Sequence, residues 1–200
     1  MAPVTIPVIE TERLLLRGPG SADVDTWASF LGDPEFTRYV PTSRVVRTPH
    51  ERAERQIAIY QQRWEEQPLN AMGWSATLKS DGKFIGLSGI ESVPDTADGE
   101  IDYFFGKSYW GQGFATEVAR AMIRFGLTNT AWNRIVAYIV PANIASVRVI
   151  ERLGFVYEKD VNYLELAGNP DLILEPPIVA LYALPRDQFE PGDALYRVTT

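Results

Sequence analysis

No cysteine occurs anywhere in this 200-residue chain. Disulfides, thiolate metal sites and a covalent cysteine nucleophile are therefore excluded, and any thiol chemistry must arrive with a ligand. Histidine is almost as scarce. His50 is the sole one, and it falls inside a helix-start signal where no catalytic role is expected. Positive charge is also in short supply: 19 Lys and Arg stand against 26 Asp and Glu, a formal net charge of −7. That balance argues against broad binding to nucleic acid or anionic membrane. No apolar run approaches membrane-spanning length. The start, Met1-Ala2-Pro3-Val4-Thr5, lacks the basic-then-apolar pattern of a secretory signal. We expect a cytoplasmic protein that uses no metal and has neither nucleic acid nor membrane as a partner. One domain over residues 1–200 suits this length.

What is present reads as a strand, two helices, three antiparallel-looking strands, and then helix, strand, helix and two strands. Arg13 to Arg17 has strand character and is closed by Gly18-Pro19-Gly20. Ser21 is placed to cap a first helix with Val24, Trp27, Ala28 and Leu31 on one face. Thr48-Pro49-His50-Glu51 is a stronger signal, a capping box with proline at the first helical position. Its helix should run to about Glu66 and stop before Pro68. Gly73–Leu78 and Phe84–Ser92 read as strands joined by the hairpin turn Ser80-Asp81-Gly82. A turn over Asp95–Gly99 then leads into an aromatic strand, Glu100 to Phe105. Val118–Leu127 has helical periodicity. Arg134–Val140 is a β-branched strand. Asn143 should cap a helix that Gly154 ends. Phe155–Leu164 and Ile178–Leu184 close the chain as strands. This order fits one α+β domain with a mixed sheet.

Between the aromatic strand and the helix after it lies Trp110-Gly111-Gln112-Gly113-Phe114-Ala115-Thr116-Glu117. A strand that opens through glycines into a helix N-terminus gathers unpaired N–H groups and helix-dipole charge at one spot, which favours phosphate. A tight packing turn is the alternative. A Walker loop would need a Lys-Ser/Thr pair where Phe114-Ala115 stand. A dinucleotide site would need an acid at the end of the next strand, where Ile139-Val140-Pro141 stand instead.

With Tyr109 in front, this stretch resembles the acyl-CoA pyrophosphate motif of the GNAT superfamily of N-acetyltransferases, although Trp110 replaces the usual Gln or Arg. Asn143 to Phe155, with Asn143, Ser146 and Leu153-Gly154-Phe155, resembles a second family segment. Thr11-Glu12-Arg13-Leu14-Leu15-Leu16-Arg17 resembles the opening of the ribosomal-protein N-terminal acetyltransferase branch. The similarity spans residues of about 10–185.

The resemblance implies an acyl-CoA N-acyltransferase fold, with a mixed sheet of about six to seven strands flanked by about four helices. It implies acetyl-CoA as co-substrate. Its pantetheine arm would pair with Tyr103, Phe104 and Phe105. Its pyrophosphate would lie on Trp110, Gly111, Gln112, Gly113, Phe114, Ala115 and Thr116. Asn143 would sit near the pantetheine arm, a role compatible with capping. Ser146 would protonate the departing thiolate, unless it is a helix serine bonded back to a carbonyl. An attacking amine needs a proton acceptor. Glu100 is the first candidate, with Asp102 on the same strand face, Glu91 on the neighbouring strand, and Glu158 further on. Phe36, Tyr39 and Trp64 are expected on the acceptor side. The Pro-bearing, apolar loop from Ala167 to Pro177 departs from that branch and argues for an acceptor other than a ribosomal protein. The expected activity is direct transfer of acetyl to a primary amine, first a peptide or protein N-terminus. A small-molecule amine or a non-catalytic acyl-CoA-binding module are the alternatives, and a homodimer stays open.

Overall fold

The computed structural model describes residues 6–66 and 69–199. Two readings, the leader-free start over residues 1–5 and the stop before Pro68, lie outside the described residues. The chain opens with two short strands, β1 (Val8–Glu10) and β2 (Leu14–Arg17). A single 3-10 turn, Ser21–Asp23, precedes α1 (Val24–Leu31), α2 (Pro34–Thr37) and β3 (Thr42–Ser43). The capping box forms as read: Glu51 N–H donates to Thr48 Oγ1 at 3.2 Å and Thr48 N–H to the Glu51 carboxylate at 2.7 Å. It starts α3 (Pro49–Glu66). Next come β4 (Ala71–Leu78), β5 (Phe84–Ser92), β6 (Asp98–Phe105) and α4 (Phe114–Asn129). The last part holds β7 (Arg134–Ile139), α5 (Ile144–Arg152), β8 (Val156–Asn162), α6 (Tyr163–Ala167), β9 (Leu172–Ile173), β10 (Ile178–Pro185) and β11 (Arg197–Thr199).

Nine of these strands form one sheet in the order β11-β1-β2-β4-β5-β6-β7-β10-β8, and β3 pairs with β9 as a separate ribbon. The α+β class with a mixed sheet holds, while the strand count exceeds six to seven. The surplus is β1, β11 and the β3–β9 ribbon, each of two or three residues. Such pieces exist through pairing alone and are too short to show an alternation.

Ser21 does not cap α1. Asp23 holds the N-cap position without a side-chain cap; its buried carboxylate instead accepts from Gly20 N–H at 3.0 Å, Ser75 Oγ at 2.6 Å and both terminal nitrogens of Arg17. Burial pushes its pKa up, but these donors outweigh that and hold it below the usual carboxylate range. One apolar cluster gathers Val118, Met122, Ile123 and Phe125 of α4 against Trp74, Ile85 and Ile90 of β4 and β5. Another joins Trp27 and Leu31 of α1 and Tyr60 of α3 to Phe84 and Leu87 of β5. Each large side chain so buried stabilises the fold by about 1.5–3 kcal/mol. Together they fix β5 and β6, the strands that carry the site.

Candidate active site

β6 is paired with β5 along its whole length, from Gly86↔Phe105 to Ser92↔Gly99. Its other side is different. The parallel pairing with β7 covers Asp98↔Arg134, Gly99↔Ile135 and Glu100↔Val136, and then stops. From Ile101 to Phe105 the strands diverge, leaving a fork in the middle of the sheet. Backbone polar groups inside a sheet demand partners, and only some find them locally. Trp110 Nε1 donates to Phe105 O at 2.5 Å. A cleft of about 810 Å³ occupies the fork.

At one end of the cleft the chain turns into α4. Gly111 and Gly113 have φ of +72° and +83°, left-handed values that side chains oppose. Gly113 is the N-cap of α4, so no side chain caps the helix. The first amides of α4 therefore face the cleft without a capping partner, and Gly111, Gly113, Phe114, Ala115 and Thr116 all line it. This is the geometry that accepts a phosphate group. Gln112 is turned away, with its side-chain amide donating to Ser108 O at 2.8 Å.

The turn is held from behind by Arg13, which sequence reading assigned no role. Arg13 donates to Gln112 O at 2.9 Å and to Glu117 at 2.7 Å, and its guanidinium lies 4.4 Å from the centre of the Phe114 ring. Glu117 also accepts from Thr11 Oγ1 at 2.7 Å and from Arg13 N–H at 2.8 Å. The opening motif Thr11-Glu12-Arg13 was thus the available signal, and its partner Glu117 stands at the end of the glycine motif.

On the far side of the fork, Asn143 caps α5 by accepting from Ser146 N–H at 3.3 Å. Ser146 lines the cleft. Its Oγ meets the Tyr103 hydroxyl of β6 at 2.9 Å, and Tyr103 also donates to Ser146 O at 3.2 Å. Tyr103, Phe104 and Phe105 all border the cleft along the unpaired stretch. The Phe104 ring, however, packs beside Trp27 with centroids 6.4 Å apart, so this residue offers its backbone.

Three carboxylates line the cleft beside the point where β6 and β7 part: Glu91, Glu100 and Asp102. Glu91 and Glu100 are direct cross-strand neighbours, and like charges so placed repel. Arg63 of α3 relieves this, pairing with Glu91 at 2.6 Å. Burial, and then the negative charge of Glu91 and Asp102, push Glu100 up to about 8. Burial and Glu91 push Asp102 to about 7. Asp102 Oδ1 is buried without a hydrogen-bond partner among the described residues. The Tyr163 hydroxyl, also at the cleft, is pushed up by burial and by the same carboxylates. Glu158 belongs elsewhere, in an ion pair with Arg134 at 2.7 Å. His50, over half exposed, sits beside Asp25 and Glu54 away from the cleft.

Phe36 and Tyr39 line the cleft. Trp64 does not. It is 2% exposed, donates its indole N–H to Gly73 O at 2.7 Å and meets the Trp74 ring edge-on at 5.0 Å, which makes it core. From α3, Arg63 reaches a residue of the cleft through its ion pair with Glu91. Val40 and Pro41, just before β3, and Leu174, just after β9, also border the cleft. The ribbon that pairs β3 with β9 of the Pro-bearing loop is thus flanked by cleft-lining residues.

The acetyltransferase (GNAT) domain family matches residues 13–156 of the chain. The uncharacterized N-acetyltransferase p20 of Bacillus licheniformis is 31% identical over 149 residues, 74% of this chain and 82% of that protein. Among solved structures, a putative ribosomal-protein-serine acetyltransferase from Vibrio cholerae superimposes with a TM-score of 0.72 at 21% identity, over 92% of this chain and 99% of that one. Mycobacterium smegmatis RimJ, solved with CoA-disulfide, gives 0.71 at 19% identity, over 92% and 91%. A split central sheet, an uncapped helix start beside it and a family match over most of the chain lead to one conclusion: this protein belongs to the GNAT family of acetyl-CoA-dependent acetyltransferases.

Proposed function

We propose that the chain acetylates the α-amine of a peptide or protein N-terminus directly, with donor and acceptor bound together. The donor supplies an acetyl thioester. The unpaired edge of β6 from Ile101 to Phe105 binds its arm, and the amides at the start of α4 bind its pyrophosphate. Ser146 donates a hydrogen bond to the departing sulfur. Glu100 takes the proton that the attacking amine must lose. A direct route is consistent with a chain that has no cysteine to hold the acetyl group.

One observation carries the reading: Glu100 lines the cleft at the last β6–β7 pair, opposite Glu91, where burial and its acidic neighbours raise its pKa to about 8. A free α-amine has a pKa of about 7.7–8.0, whereas a lysine amine has about 10.4. The raised carboxyl therefore brings proton transfer from an α-ammonium group closer to balance than transfer from a lysine ammonium group. The neighbouring negative charge also draws a cationic amine inward.

A small-molecule amine is the second reading, favoured by the β3–β9 ribbon beside the cleft. Release of CoA thiol, measured with a peptide library against an amine library, tests both. Turnover on peptides with free but not blocked N-termini is the expected result. Turnover on small amines alone overturns the peptide reading. CoA binding with no turnover on either leaves a non-catalytic module.

A further inference from the structure

The hydroxyl of Tyr103 has no place in the scheme above, yet it touches the one group assigned to the leaving sulfur. Tyr103 rises from the unpaired stretch of β6 and reaches across the fork to the first turn of α5. Its oxygen lies 2.9 Å from Ser146 Oγ and 3.2 Å from Ser146 O. We propose that Tyr103 is a positioning residue for acetyl transfer, whose O–H points the Ser146 hydroxyl hydrogen at the departing sulfur. The proposal rests on the reading of Ser146 given above.

A helix serine ordinarily donates back to a carbonyl one turn earlier, and its hydrogen is then spent. Ser146 does otherwise: among the described residues, the hydrogen-bond partner of its Oγ is Tyr103. Each hydroxyl has one hydrogen to donate and lone pairs to accept with. With nothing bound, Ser146 can donate to the tyrosine oxygen while tyrosine donates to Ser146 O. When a sulfur anion develops, Tyr103 donates to Ser146 Oγ instead, and the serine hydrogen turns to the sulfur. A rotation of two hydroxyls suffices, and no backbone moves. Asn143 steadies the turn by holding Ser146 N–H. Donation into Ser146 Oγ also polarises its O–H and strengthens the second bond of the chain. Burial pushes the Tyr103 hydroxyl up to about 12, so it stays protonated and acts as a donor throughout.

The bond changes balance without a proton leaving either hydroxyl. The amine nitrogen forms the new bond to the acetyl carbon, and its proton goes to Glu100. The carbon–sulfur bond breaks with its electron pair on sulfur. The resulting thiolate is held by the Ser146 hydrogen, and takes a proton from solvent on release. A thiol of pKa about 8.5 is a good enough leaving group for hydrogen bonding alone to assist it.

The test uses CoA itself as probe, so it needs no acceptor. The thiol of bound CoA is titrated by thiolate absorbance in the unaltered protein, Tyr103→Phe, Ser146→Ala and the double variant. Tyr103→Phe keeps the ring and removes a single oxygen. The expected result is a bound thiol whose pKa rises by about one unit in each single variant and no further in the double. With a working acceptor, Tyr103→Phe should lower kcat about tenfold and leave KM for acetyl-CoA unchanged. A purely structural role would instead weaken CoA binding and raise KM. If Ser146→Ala raises the thiol pKa and Tyr103→Phe does not, the proposal fails and the role of Ser146 stands. If Tyr103→Phe still raises it in the Ser146→Ala background, Tyr103 does not act through Ser146 and the proposal fails. If neither single variant raises it, the reading of Ser146 falls and the proposal falls with it.

Discussion

Glu100 keeps its proton near neutral pH because burial and two neighbouring carboxylates oppose its ionisation, with Arg63 as partial relief. As a base it works only when ionised, so activity should rise with pH through a midpoint of about 8. Tyr138 and Tyr163 also face this region but stay protonated there. Glu100→Gln should lower kcat by about 10²-fold and remove that limb of the pH–rate profile. Asp102→Asn removes one negative neighbour and should move the limb to lower pH. The same shift acts on stability with a fixed sign. A carboxyl raised in the folded state stabilises below its unfolded pKa, and that contribution is lost as pH rises from there through about 8. Denaturant midpoints across this range would check it. Glu100 and Asp102 were legible in the sequence because a strand alternates, which placed both on one face. What stayed hidden was the magnitude of their perturbation, since it depends on the register that sets Glu91 opposite Glu100. Trp64 misled for a related reason. An aromatic on a helix shows its period, but its direction relative to the cleft comes from packing.

Among elements, the turn into α4 is the most exacting. Gly113→Ala forces a side chain to φ +83° and sets a Cβ 3.4 Å from Arg13. The cost should be about 1–2 kcal/mol of stability, accompanied by a higher KM for acetyl-CoA. Arg13→Ala should raise that KM with little change in kcat, because Arg13 fixes the turn and touches no reacting group. Steady-state kinetics distinguish the two effects. The long helices were readable because a capping box, a glycine stop and a 3.6 period agree over many residues, as in α3 and α5. The short helices α2 and α6 carry too few turns for a period. Their start signals, Asp33 accepting from Glu35 N–H at 2.9 Å and Asn162 from Leu164 N–H at 3.1 Å, become visible only once the backbone bends. Ser21 shows the converse: an apt residue type begins a 3-10 turn and so lies short of the start of α1.

At the scale of the whole molecule, β1 pairs with β11, joining Val8 to Thr199 across nearly the full sequence. Neither strand is recognisable alone, because each is completed by the other. Truncation before Arg197 should lower the thermal midpoint by exposing β1 as an edge. Acetyl-CoA at a hundredfold excess over its Kd should stabilise the protein by about 2.7 kcal/mol, and absence of any shift in a thermal melt would contradict binding in the cleft. The fork has a mechanical side as well. With three residue pairs joining β6 to β7, the sheet is two stiff plates, β11 through β6 and β7 through β8, meeting at a narrow seam. Acyl-CoA seated between them would act as a wedge that bonds both plates. Amide exchange should then slow along residues 101–105 and in the first turn of α4 when CoA is added, and stay constant within the β4–β5 hairpin. A donor seated there would bridge the sheet where the three pairs of the seam leave it open.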